Sequence, residues 1–319
     1  MLVKPFARAL GTRSGGLAST LDFTGVLMCA IADYDILGAG APRLHSASEA
    51  SPRSFLRPPF LARPPSVKVS VLNAVARASR GRARARMDRM LETMWMAFQP
   101  IVDTEHRRVF AYEALMRNEE GSFPDPHAVL CGAERLCCVQ EVGRRARALS
   151  AEAFAHAPAG AMLFVNLHAA DLLDPALYEA HSPLTKIAGR VVLEITERTS
   201  LDAVKDLQAR LSDLRHQGFR IAIDDLGAGY ASLSACVVLE PDFAKLDMVL
   251  VRDVDHSAVR QRLIETILSF RTRMHMTVIA EGVETAEECG RLRALGCRLM
   301  QGYLFARPGR AFPRVETFY

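Results

Sequence analysis

The 319-residue sequence predicts an α/β fold, a (β/α)8 barrel with one antiparallel strand, preceded by a basic low-complexity segment. Three observations predict it. After about residue 92, eight short apolar runs recur, most of them carrying or ending in a polar or acidic residue. Stretches with helical periodicity lie between most of these runs, and alternation of that kind implies parallel strands joined by right-handed crossovers. Only "TEHRR" separates the first two runs, too few residues for a crossover helix, so those two must form a hairpin.

Residues 1–90 differ from the rest. "APRLHSASEASPRSFLRPPFLARPPS" is rich in Pro, Ser and Arg, and "ARASRGRARARMDRM" is an Arg/Ala run. Low periodicity, many prolines and one-sided charge argue against a packed structure. Three readings compete: a flexible basic tail that touches nucleic acid or acidic lipid, a degenerate regulatory segment, or sequence translated upstream of the true start, given Met87, Met90, Met94 and Met96. The last two are favoured. Interleaved aromatics and a binding motif are missing, so nucleic acid is not an expected partner.

The strands follow in order: "MAFQPIVD" (96–103), "VFAYEALMR" (109–117), "MLFVNL" (162–167), "VVLEITE" (191–197), "RIAIDD" (220–225), "FAKLD" (243–247), "TVIAEGVE" (277–284) and "RLMQGY" (298–303). Residues 200–218 give the clearest helix: Leu201, Val204, Leu207, Leu211 and Leu214 recur at three to four, and Gly218 stops it. Residues 257–274 and 285–296 behave alike, the latter opened by a capping box of Thr285 and Glu288.

The net charge of +4 hides an asymmetry: residues 1–90 carry 14 Lys/Arg against 5 Asp/Glu, and residues 91–319 carry 26 against 31. The folded body is therefore acidic. The seven cysteines are odd in number and lack CxxC zinc spacing, so reduced thiols in a cytoplasmic protein are expected, with the Cys137–Cys138 doublet packed on a helix. No run of 18 apolar residues predicts a membrane span.

A barrel gathers its site at the carboxyl ends of its strands. Those ends carry Glu113, Asn166, Glu194, Asp224 with Asp225, Lys245 with Asp247, Glu281 and Gln301. One acid at a strand end is commonly the cap of the next helix. Seven strands delivering carboxylate, carboxamide or ammonium groups to one rim make a cluster that needs cations to neutralise it. Oxygen ligands without His suit Mg²⁺ or Mn²⁺. Lys245 and Asp247, two apart, share a face, where Asp247 could brace Lys245. Asp224 and Asp225 can converge only where the strand ends and the backbone turns; there Asp224 could bridge two ions while Asp225 binds one. Two metals about 3.5–4 Å apart form the clamp of in-line phosphodiester hydrolysis. His106, His127, His168, His216 and His275 fall away from the rim, and Trp95 packs at the barrel's entrance.

"YEALMR" with "FVN", "LEITE", "DDLGAGYASL", "KLD", "EGVET" and "QGY" resembles the EAL-domain family, bacterial cyclic-di-GMP phosphodiesterases, over residues 96–310 or so. That resemblance implies a TIM-like barrel with one antiparallel strand, a homodimer, and hydrolysis of cyclic-di-GMP to linear pGpG. It implies that Glu113, Asn166, Glu194 and Asp224 hold a first metal, and that Asp224 and Asp225 hold a second with Glu281 nearby. Lys245 would orient the attacking water, Arg117 would hold a substrate phosphate, and Gln301 would support the water and metal network. Gln99 and Asp247 would line the nucleotide pocket, and Glu197 would anchor the glycine-rich loop after Asp225. The departures are mild: Met116 stands where the family has Leu, and Leu226, Ala228 and Ala231 stand where it has Phe, Thr and Ser. These touch loop control, not the ligand set. A barrel that binds cyclic-di-GMP or a protein without turnover is the alternative.

Overall fold

The structure is a computed structural model and describes residues 69–196, 201, 204–227, 232–310 and 312–319. Eight strands close a barrel in chain order: β1 (Trp95–Asp103), β2 (Arg108–Arg117), β3 (Met162–Leu167), β4 (Val191–Thr196), β5 (Arg220–Leu226), β6 (Phe243–Leu246), β7 (Thr277–Ala280) and β8 (Leu299–Gln301). β1 runs antiparallel to both neighbours and every other pair is parallel, as the short "TEHRR" link requires. β7 stops sooner than its apolar run, because Gly282 takes φ +67 and turns the chain; a Cβ there would stand 2.6 Å from Met248 Cβ.

Helices wrap the barrel: α1 (Val69–Thr93), α2 (Pro126–Leu136), α3 (Val139–Phe154), α4 (Leu207–His216), α5 (Ser232–Leu239), α6 (Met248–Val251), α7 (Ala258–Met274) and α8 (Ala286–Ala294). Sequence caps set their ends. Asp125 accepts from the Ala128 N–H, Ser257 from that of Arg260, and Thr285 and Glu288 form both arms of the expected capping box. Between β3 and β4 the chain makes three short 3₁₀ turns, not a helix, broken at Pro175 and Pro183.

Two expectations are corrected. An irregular chain up to residue 90 does not hold for Val69–Thr93, which is helical: no proline lies in it, Ala and Arg are good helix formers, and Met87, Met90 and Met94 recur at three to four and are buried. Residues 1–68, the greater part of that segment, lie outside the described residues. The Cys137–Cys138 doublet is not within a helix but joins two, Cys137 as the left-handed cap of α2 (φ +56) and Cys138 as the residue before α3. The six described cysteines are free thiols.

One aliphatic core cluster lies between the barrel and its helices, and a second fills the barrel's lower interior around Ile101, Phe164, Phe243 and Leu299. The upper interior is polar.

Candidate active site

The barrel's parallel register fixes the polar layer. Glu113 on β2 pairs with Phe164, Asn166 on β3 with Glu194 on β4, and Lys245 on β6 with Ile279 on β7. Inward positions recur every second residue, so Glu113, Leu115 and Arg117 climb one face of β2 towards the rim. Because β1 is reversed, it delivers its middle: Gln99 sits opposite Glu113.

Asp224 and Asp225 converge as the strand end predicted, through a bulge. Ile223 pairs with Ala244 and Leu226 with Leu246, so β5 spends one residue more than β6 across this step. Asp225 absorbs it in the left-handed region, at φ +58. Gly227 follows at φ +106, where a Cβ would collide with Leu250. Asp224, Asp225 and Glu281 thereby bring carboxylate oxygens within 4.8 Å of one another.

Lys245 stands at the centre, 1% exposed. Its Nζ lies 2.6 Å from Glu281 Oε1, 2.8 Å from Glu194 Oε1, 3.2 Å from Glu113 Oε2 and 3.3 Å from Asp224 Oδ1. Burial alone would lower this ammonium, but the four carboxylates hold it well above the ordinary lysine range. Burial would raise Glu113, yet Lys245 and the amides of Gln301 and Asn166 keep it below its usual value. Burial, and then the charge of Glu113, push Glu194 well above the carboxylate range. Burial pushes Glu281 up to about 8 against the pull of Lys245.

Two amides complete the layer. Asn166 Nδ2 donates to Glu113 Oε1 at 3.0 Å. Gln301 Nε2 donates to Glu113 Oε2 at 2.7 Å and to Gln99 Oε1 at 3.0 Å, and Gln99 Nε2 donates to the Ala306 carbonyl at 3.1 Å. Gln301 Oε1 and Glu194 Oε2 are buried and accept no hydrogen bond.

Gln99, Glu113 and Gln301 border a cavity of about 380 Å³, lined also by Asp225, Asp247 and Glu281. Asp247 does not brace Lys245; its Oδ1 accepts from the Val249 N–H at 2.6 Å and caps α6. Arg117 ends β2, where its Nη1 donates to the Met116 carbonyl at 2.8 Å, and it is not among the cavity's lining residues. Glu197, Ala228 and Ala231 lie outside the described residues. None of the five histidines lines the cavity; His106, for one, bonds Asp103 in the β1–β2 turn at 2.9 Å. Trp95 opens β1 with the Arg310 guanidinium 4.0 Å over its ring.

Sequence reasoning left out Leu115, Met248, Glu284 and Tyr303, all on the cavity wall. Tyr303 stands in the quoted "QGY", its ring covered by the Arg307 guanidinium at 4.2 Å. An aromatic two residues after a polar strand end was the available signal.

The donor set fits divalent cations. Glu113, Glu194, Asp224, Asp225 and Glu281, fully ionised, outweigh Lys245 by a formal −4, which two divalent cations would offset. Its oxygens are carboxylate and amide, the set that hard cations take.

A family model described as EAL domain matches residues 83–308. The chain is 28% identical over 225 residues to "Probable cyclic di-GMP phosphodiesterase PdeG" of Escherichia coli (strain K12), covering 66% of this chain and 44% of that protein. It is 30% identical over 218 residues to "Blue light- and temperature-regulated antirepressor BluF" of the same organism, covering 66% and 53%. The chain thus spans about half the length of the curated relatives it matches. Among solved structures, Klebsiella pneumoniae BlrP1 in a calcium/cy-diGMP complex aligns with TM-score 0.62 and 27% identity over 80% of this chain and 70% of that one. A standalone versatile EAL protein from Vibrio cholerae O395, in c-di-GMP bound form, aligns with TM-score 0.58 and 28% identity over 70% and 95%.

Proposed function

The chain belongs to the EAL domain family, and we propose that it is a metal-dependent phosphodiesterase that hydrolyses cyclic-di-GMP to linear pGpG. The carrying observation is that five carboxylates, one lysine and two amides, drawn from seven strand ends, meet at one rim with no member of the set replaced. We place the catalytic domain from within α1 to the end of the chain, behind a separate N-terminal segment.

In this reading Glu113, Asn166, Glu194 and Asp224 hold one Mg²⁺ or Mn²⁺. Asp224 and Asp225, with Glu281 beside them, hold the other. When bound, such ions neutralise the phosphodiester and lower the pKa of a water. Lys245, released from its carboxylates, keeps its proton and orients the attacking water by donating towards it. Gln301, its amide nitrogen held by Glu113 and Gln99, keeps a buried Oε1 with no other partner as an acceptor for the water and metal network. Arg117, at the top of the same face as Glu113, reaches a substrate phosphate as a two-pronged donor. Gln99 and Asp247 border the nucleotide. The homodimer is part of the proposal; Val237, Val249 and Val259, on α5 to α7, are exposed aliphatic side chains that such a contact would cover.

A second reading, a receptor that binds cyclic-di-GMP or a protein without turnover, draws on the relative named as an antirepressor and on the altered loop at Leu226, Ala228 and Ala231. One assay separates them. The purified full chain is incubated with cyclic-di-GMP and Mn²⁺, and products are resolved by chromatography. Linear pGpG that disappears with chelator is expected; saturable nucleotide binding without product would establish the receptor.

A further inference from the structure

Helix α1 has two unlike halves. From Arg84 onwards it is fastened to the domain. Met87, Met90 and Met94 are buried with Val129, Val139 and Val142 of α2 and α3. Arg84 meets Glu141 with both prongs, at 2.9 and 2.5 Å, and Arg89 meets Glu120 at 3.2 Å. The other half has no such fastening, and every residue from 73 to 82 is exposed.

That free half is one-signed. Between Val69 and Met87 the sequence holds five arginines and no acid. Arg77, Arg80, Arg82 and Arg86 are exposed, and among the described residues none of their side chains enters an ion pair or hydrogen bond. Arg82 and Arg86 stand at i,i+4, where like charges repel on a helix, whereas Arg84 is already offset by Asp88 and Glu141. An anion laid along the helix relieves that repulsion.

The chemistry selects the anion. A lipid surface needs an apolar face opposite the basic one. Here Val75 is the only large aliphatic side chain from 73 to 86, and Arg77 and Arg82 point about 140° apart at 3.6 residues per turn. Single-stranded nucleic acid needs aromatic rings for its bases, and none precedes Trp95 on this helix. A helix about 10–12 Å across with its side chains matches the major groove of B-form DNA, about 12 Å wide, with guanidinium forks suited to phosphates on either side. Residues 91–319, with 26 Lys/Arg against 31 Asp/Glu, are acidic and disfavour such contact on the folded body. Composition alone argued against nucleic acid because it showed a tail without a motif; the helix supplies fixed presentation.

We infer that the exposed face of α1 bearing Arg77, Arg80, Arg82 and Arg86 is a sequence-independent docking arm for the phosphate backbone of duplex DNA.

The test uses the full chain, a labelled random-sequence DNA duplex and fluorescence anisotropy across a salt series. Each phosphate neutralised contributes about −0.9 to the slope of log affinity against log salt. Replacing Arg77, Arg80, Arg82 and Arg86 together by Gln should flatten that slope by about 3–4 and weaken low-salt binding at least about tenfold. The matching fourfold Lys variant should retain the slope, and cyclic-di-GMP turnover should not change in either. Equal slopes for wild type and the Gln variant would overturn the inference, as would absent duplex binding. So would binding of phosphatidylserine vesicles or single-stranded RNA in preference to the duplex.

Discussion

At the scale of single residues the site turns on Lys245 and its four carboxylates. Removing one member of a buried ionic set leaves the others uncompensated, at about 3–5 kcal/mol. Lys245→Met should therefore lower the melting temperature strongly in chelator, and Mn²⁺ should restore much of the loss; an unchanged melting curve would refute the central place given to this ammonium. Glu113→Ala removes a carboxylate that receives Lys245, Asn166 and Gln301, and should abolish pGpG formation in the turnover assay. The titration of the rim gives a sign. Glu281 is raised from an ordinary 4.5 to about 8, and Glu194 is raised too. A carboxyl raised on folding contributes stability that is present below its unfolded value and is lost as pH rises through the folded one. The chelated protein should thus lose stability from about pH 4.5 to about pH 8, as thermal melts would record, while cation affinity should rise over the same interval. The rim residues were legible because each closes an apolar strand with a polar group. The contact of Gln99 with Gln301 was not, since it depends on a reversed strand bringing its middle to the layer.

Among the elements, β5 with its bulge is the most exacting. The doublet Asp224–Asp225 told of a turn, yet the extra residue and the positive φ of Asp225 required the register with β6. Gly227→Ala imposes φ +106 on an alanine and a collision with Leu250, which should destabilise the protein by about 1–3 kcal/mol and slow turnover. Denaturant melts that match wild type would show that the loop relaxes. Glu197→Ala, beyond the described residues, should impair turnover with the melting temperature unchanged, if the loop needs its anchor. In α1 the one-sided charge masks the helix, although the spacing of Met87, Met90 and Met94 marks one buried face. The strands fared better, since a buried apolar run bounded by turns leaves little choice.

On the scale of the whole molecule, the barrel is completed by the two parts of the chain that break its repeat. β1 closes the sheet antiparallel to β2 and β8. The C-terminal segment then pairs Gly309 with Phe98 and lays Phe312 against Phe98, Tyr112 and Phe154, with ring centroids 4.5, 4.9 and 6.3 Å away. Alternation in the sequence announced the barrel, but this closure has no period and could be seen only in three dimensions. Everything converges on an acidic rim that lacks enough positive charge of its own. Counting Mn²⁺ bound per chain by calorimetry at a pH above 8 tests that most directly. Wild type should bind two ions, with Asp224→Asn weakening both because Asp224 is shared. A wild-type rim that takes up no Mn²⁺, with or without cyclic-di-GMP, would contradict a cation-dependent phosphodiesterase site.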